Sequence, residues 1–100
     1  MYICTYNKLM DFEWDEAKRQ SNLIKHHLDF HDAEIVFSGV NFTFADDRFE
    51  YGEDRNVTLG LLRGTVVVIA YTERDEVVRV ISMRKATRNE ERLYFQGFAD

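Results

Sequence analysis

Cationic side chains crowd one stretch of an otherwise acidic chain: Val77-Val78-Arg79-Val80-Ile81-Ser82-Met83-Arg84-Lys85-Ala86-Thr87-Arg88. Over the whole chain 18 Asp+Glu outnumber 13 Lys+Arg. Yet from Arg79 to Arg92 five basic residues (Arg79, Arg84, Lys85, Arg88, Arg92) face only two acidic ones (Glu90, Glu91). The pattern reads as a strand running straight into a helix, with the cations at the junction. A helix N-terminus favours negative charge, so a guanidinium there makes sense if it serves an anion, and phosphate is the natural one. Strand alternation puts Arg79, Ile81 and Met83 on one face and Val80, Ser82 and Arg84 on the other. Without a bulge, Arg79 and Arg84 cannot serve one site on one sheet face. Arg84, at the strand's end beside Lys85 and Arg88, is then the better phosphate contact. The competing expectation for Arg84 is a structural ion pair with a helix carboxylate such as Glu13 or Glu16. Lys18, Arg19 and Lys25 are balanced between function and a solvated helix face.

Other chemistries are poorly supported. His27 and His31 have the spacing of a helical metal pair, with His26 alongside. A helix break expected near Asp29 spoils that geometry, and no second cysteine or distant histidine completes a zinc site. The chain has no glycine-rich phosphate loop and no G-x-S-x-G elbow. Cys4 lies in a weakly patterned stretch, which argues against a cysteine nucleophile.

The elements that must position these residues follow from periodicity. Asp11 to Trp14 alternates like a short half-buried strand. Asp15 caps a predicted helix in which Ala17, Ser21, Ile24 and Leu28 form the core-facing stripe, with Lys18, Arg19, Asn22 and Lys25 opposite. Asp29 caps a second, short helix through Ala33, Ile35, Val36 and Phe37, ended by Gly39. Four strands are expected next: Phe42 to Ala45, Asn56 to Leu62, Thr65 to Thr72 and Val77 to Arg84. The run Val66 to Ala70 is apolar on both faces, which marks the central strand. Thr87-x-x-Glu90 is a capping box opening a last helix through Leu93 and Tyr94. The predicted class is α+β, one antiparallel sheet packed with two N-terminal helices and a C-terminal helix.

One hundred residues with 45% apolar content suit one small domain with a single core. Residues 10–100 are expected to form it, with residues 1–9 as an N-terminal extension, since Met10 is a second possible start. No apolar run is long enough for a membrane span, no signal peptide is visible, and one cysteine suits a reducing cytoplasm. A net charge of −5 disfavours non-specific nucleic-acid coating but leaves room for a local cationic site. The stretch Glu91-Arg92-Leu93-Tyr94-Phe95-Gln96-Gly97 looks like a tag-removal protease site. It also continues the apolar spacing of the last helix, so it is read as native, with no function given to Phe95 through Asp100.

Several spaced motifs carry a family resemblance. They are Phe12-Glu13-Trp14-Asp15-Glu16-Ala17-Lys18, Asn22-x-x-Lys25-His26, Phe30-x-x-Ala33, Arg55 with Gly60, Tyr71-Thr72-Glu73-Arg74, and Arg79-x-Ile81-Ser82-Met83-Arg84-Lys85-Ala86-Thr87-x-x-Glu90. In this order they resemble BrnT-type toxins of bacterial toxin–antitoxin pairs, over about residues 10 to 95. Tyr71 departs from the family's frequent histidine, and Met83 from its usual small residue. The resemblance implies a RelE-like fold, a ribonuclease that needs no metal or other cofactor, and a cognate antitoxin with a ribbon-helix-helix DNA-binding domain. RNA can be cut by its own 2′-hydroxyl, so the enzyme must supply cations for phosphorane charge and groups that move protons. Arg84 is the first choice for that charge, with Lys25 and Arg74 next. Glu73, Tyr71 and His26 are the candidate proton carriers, and Arg79, Lys85, Arg88 and Arg55 the RNA contacts. The expected outcome is inhibition of translation until a dimeric antitoxin covers the cations, with the acidic Asp46–Asp54 loop facing basic antitoxin segments. The alternative is a non-catalytic module that binds phosphate or a partner through the same basic patch.

Overall fold

Strand-forming runs separated by two tight turns make the second half of the chain a meander. The computed structural model describes residues 2–4, 10–45 and 55–97. Its strands are β1 (Tyr2–Cys4), β2 (Asp11–Glu13), β3 (Asn41–Ala45), β4 (Asn56–Leu62), β5 (Thr65–Arg74) and β6 (Val77–Lys85). Its helices are α1 (Glu16–His26), α2 (Ala33–Ser38) and α3 (Arg88–Gln96), with a single 3-10 turn at Phe30–Asp32. The strands form one sheet in the order β1-β3-β4-β5-β6-β2, with the apolar β5 inside it.

The α+β class holds, with one change to the sheet. β2 pairs in parallel with β6, Asp11 opposite Val77 and Glu13 opposite Arg79, so the sheet is mixed rather than wholly antiparallel. Period-two alternation fixes which side chains face the core, but says nothing about the direction of a neighbouring strand. Tyr2–Cys4, inside the stretch expected to be an extension, pair antiparallel with β3.

Both hairpins turn on two residues at positive φ, as type I′ turns require. Arg63 and Gly64 join β4 to β5, and Asp75 and Glu76 join β5 to β6. A core lies on each face of the sheet. On one, Val67, Ile69, Tyr71, Val78, Val80 and Met83 pack against Phe30, Ala33, Val36 and Phe37. On the other, Phe42, Leu59, Val66 and Val68 pack beneath Tyr94 of α3. Gly60 allows α2 to approach, because a Cβ there would sit 2.5 Å from Val36 Cγ1. The tag-like stretch is thus built into the molecule: Tyr94 is buried, and its hydroxyl donates to Val40 O at 2.9 Å.

The orientation of α1 overturns the predicted stripe. Ala17, Ser21 and Ile24 face solvent, Ile24 at 79% exposure, while Asn22 is buried. β2 covers the outer edge of β6 only as far as Arg79, so Met83 N–H has no strand to bond. Asn22 Oδ1 accepts from it at 3.1 Å, and Asn22 Nδ2 donates to Leu28 O at 3.0 Å. A buried backbone donor must be satisfied, and that polar demand outweighs the apolar stripe in setting the helix's rotation.

Candidate functional site

A β-bulge decides which arginines share a surface. Ala70 is opposite Ser82 but Tyr71 is opposite Val80, leaving Ile81 as an extra residue in β6. Val80 and Met83 therefore both enter the α2-side core. Plain alternation had placed them on opposite faces, so the extra residue corrects the separation of Arg79 from Arg84. Arg79 lies opposite Thr72 and Arg84 opposite Val68, both on the α3 face of the sheet. Alternation adds Arg74, two residues beyond Thr72, to the same face. The sheet thus presents Arg74, Arg79 and Arg84 together with Thr72 and Ser82. From Thr72 to Val68 is four strand steps, so Arg79 and Arg84 stand roughly 13 Å apart at their backbones.

Arg84 is fixed by α3. The Thr87 hydroxyl accepts from Glu90 N–H at 3.2 Å, and Glu90 Oε1 accepts from Thr87 N–H at 2.8 Å, closing the capping box. The same carboxylate takes both ends of the Arg84 guanidinium, Nη1 to Oε1 at 2.8 Å and Nη2 to Oε2 at 2.9 Å. Nη1 also donates to Lys85 O at 3.2 Å. Hydrogen bonds from Arg84, with help from Thr87 N–H, pull the Glu90 carboxyl down to about 2. The guanidinium at the helix N-terminus is therefore balanced by an acid at the third helical position, where the dipole favours one. Arg84 does pair with a helix carboxylate, but Glu13 and Glu16 bond elsewhere. Glu13 accepts from Arg79 at 2.9 Å, and Glu16 accepts from Arg19 at 2.6 Å. Glu90 was legible as a cap; its second role needed the turn that folds Arg84 back over it.

The other candidate residues scatter around this face. Lys85, opposite Val67, projects to the α2 side and is exposed, and Arg88 is exposed at the start of α3. Arg55 precedes β4 by one residue, at the sheet end that carries Thr72 and Arg79. Glu73 is exposed near the β5–β6 turn, on the face opposite Arg74. Tyr71 is 1% exposed, its ring edge-on to Phe37 at 5.0 Å in the α2-side core. Lys25 is exposed near the end of α1, and His26 is half-buried one turn beyond Asn22, on the helix face that meets β6. His27 adopts the left-handed cap of α1, so the His27/His31 spacing does not fall on one helix. The Asp46–Asp54 loop lies outside the described residues. None of the described helices is long and apolar enough to cross a membrane.

The side chains of Lys25, Arg74, Lys85 and Arg88 have no hydrogen-bond or ion-pair partner among the described residues. The arginine face therefore offers exposed Arg74 and, at the start of α3, exposed Arg88 with one held guanidinium, while Lys85 projects to the other face and Lys25 stands on α1. It has hydroxyl groups from Thr72 and Ser82 between the arginines, and a half-buried imidazole across β6. Such a surface can bind a polyanion along the sheet and place one rigid positive charge against it.

The chain matches a family model over residues 14–90, that of the ribonuclease toxin BrnT of type II toxin–antitoxin systems. The match runs from Trp14 to Glu90, so it takes in α1, the bulged hairpin and the acid that holds Arg84. No curated protein matches the chain.

Proposed function

The chain belongs to the BrnT family of ribonuclease toxins of type II toxin–antitoxin systems, and from that premise we propose that it cuts RNA without a metal ion and so inhibits translation. The 2′-hydroxyl of the RNA attacks the neighbouring phosphate, giving a 2′,3′-cyclic phosphate and a free 5′-hydroxyl on the leaving strand. The protein's task is to gather cations on the phosphate and to move a proton at each oxygen. The observation that carries this proposal is the bulge at Ile81, which sets Arg74, Arg79 and Arg84 on one sheet face.

Arg84 takes the developing phosphorane charge, since its bond to Glu90 holds the guanidinium in one orientation before substrate arrives. Arg79, Arg74, Arg88, Lys85 and Arg55 guide the flanking backbone, and Lys25 supplies a further cation from α1. Proton transfer falls to His26, half-buried on the helix face that meets β6, since Glu73 stands on the sheet face away from Arg84. Tyr71 serves better as a packed support for β5. Type II membership implies a protein antitoxin. In this proposal the antitoxin is a dimeric ribbon-helix-helix protein that covers the arginine face in a hetero-oligomer, and the toxin acts in the cytoplasm.

Purified protein incubated with RNA in EDTA tests the reading, with Arg84→Ala alongside. Cleavage by the parent chain is expected, reduced about 100- to 1000-fold in the variant, as for loss of one oxyanion donor. A folded parent chain that leaves RNA intact in EDTA would rule out metal-free cleavage. The pairing of Arg84 with Glu90 also suits the second reading, a binding module whose arginine is already neutralised. That reading expects Arg84→Ala to weaken RNA binding while no cleavage is seen in either protein.

A further inference from the structure

The two edges of the sheet are protected very differently. At one, β2 bears Asp11 and Glu13, and Glu13 is paired across to Arg79. Charged side chains on a short edge strand discourage pairing with other chains. At the other, β3 reads Asn41-Phe42-Thr43-Phe44-Ala45, with no charge, proline or glycine. Among the described residues its outer edge is paired only with β1, at Asn41, Phe42 and Thr43. Phe44 and Ala45 lie past the end of that ladder.

β3 is also complementary to itself. Turned antiparallel about Thr43, two copies would set Phe42 of each opposite Phe44 of the other, and Asn41 opposite Ala45. Phe42 and Phe44 lie on the same face, in the core beneath α3, so the pairing aligns four aromatic rings on one side of the joined sheet. Aromatic cross-strand pairs are among the stabilising ones, and a two-fold contact of this kind closes on itself rather than growing into fibres.

We propose that the outer edge of β3 is a self-association site held shut by Tyr2–Cys4. When β1 leaves, two copies join through β3, antiparallel about Thr43, into one continuous sheet. Neither the arginine face nor RNA cleavage enters this inference.

The test uses the full chain carrying Tyr2→Pro and Ile3→Pro. Neighbouring residues of a strand aim their N–H groups at opposite edges, so one of the two prolines must remove a ladder bond. Light scattering over a wide concentration range is expected to give the mass of one chain for the parent and of two for the variant. Adding Ala45→Lys, at an exposed position opposite Asn41 of the second copy, should return the variant to one chain. A folded variant that stays monomeric would overturn the proposal, as would a dimer indifferent to Ala45→Lys or a parent that dimerises equally. If the double variant does not fold, the single variants Tyr2→Pro and Ile3→Pro replace it, each also carrying Thr43→Cys and Cys4→Ser, so that the chain losing a β1 ladder bond is among them. Oxidation should then trap a covalent dimer through the Thr43 axis, and folded chains that yield none count against the pairing.

Discussion

At Glu90 one carboxylate holds two things in place, the first turn of α3 and the guanidinium of Arg84. The two partners are not equal when one is removed. Arg84→Ala leaves the carboxylate bonded to Thr87 N–H and partly open to water, so it should cost about 1 kcal/mol. Glu90→Ala removes the cap and leaves Arg84 without its acid, and about 2–3 kcal/mol is expected. Chemical denaturation of both variants checks the order, and Arg84→Ala as the more destabilising would contradict it. Asn22 poses the same problem in a drier setting. Asn22→Leu keeps the volume but strands Met83 N–H and Leu28 C=O, and two unsatisfied buried groups should cost about 2–4 kcal/mol. A change under about 1 kcal/mol in the same experiment would mean water replaces the amide, against the burial of this site.

Elements show where local signals suffice and where they fail. The β5–β6 hairpin places Asp75 at φ 52° and Glu76 at φ 66°, in a conformation that suits glycine. Glu76→Gly relieves left-handed strain of about 1–2 kcal/mol but loosens the unfolded chain by part of that. A net gain of about 0.5–1 kcal/mol is expected, seen as a rise of a few degrees in Tm. The strands of the hairpins, the buried β5 and the capping box at Thr87 were legible because alternation, apolar runs and caps are local. Two features were not. The rotation of α1 depends on Met83, 61 positions from Asn22, and hydrophobic periodicity carries no trace of such a demand. The extra residue Ile81 looks like any other β-branched residue of a strand. It shows only when Val80 and Met83 must both reach one core, and it decides whether Arg79 and Arg84 share a face.

The molecule as a whole should have a stability plateau bounded by acid and alkali. Glu90 is held at about 2 by Arg84, and Asp29 is lowered chiefly by Arg19. Both carboxyls bind protons more readily unfolded, so their contribution is complete above the ordinary carboxylate range and fades as pH falls from about 4.5 toward 2. Tyr94 works in the opposite direction. Burial raises its hydroxyl above the usual 10, so the folded state favours the neutral phenol, and that stability is lost as pH rises past 10. Denaturant midpoints measured across pH should therefore be flat from roughly 5 to 10 and fall at either end. Glu90→Gln should lower the plateau while making the acid limb shallower, since the glutamine has no proton to take up. Tyr94→Phe should flatten the alkaline limb, at about 1 kcal/mol for the lost bond to Val40 O. An acid limb of unchanged slope in Glu90→Gln would place the acid-linked proton uptake elsewhere, with Asp29 and its partner Arg19 the next pair to vary.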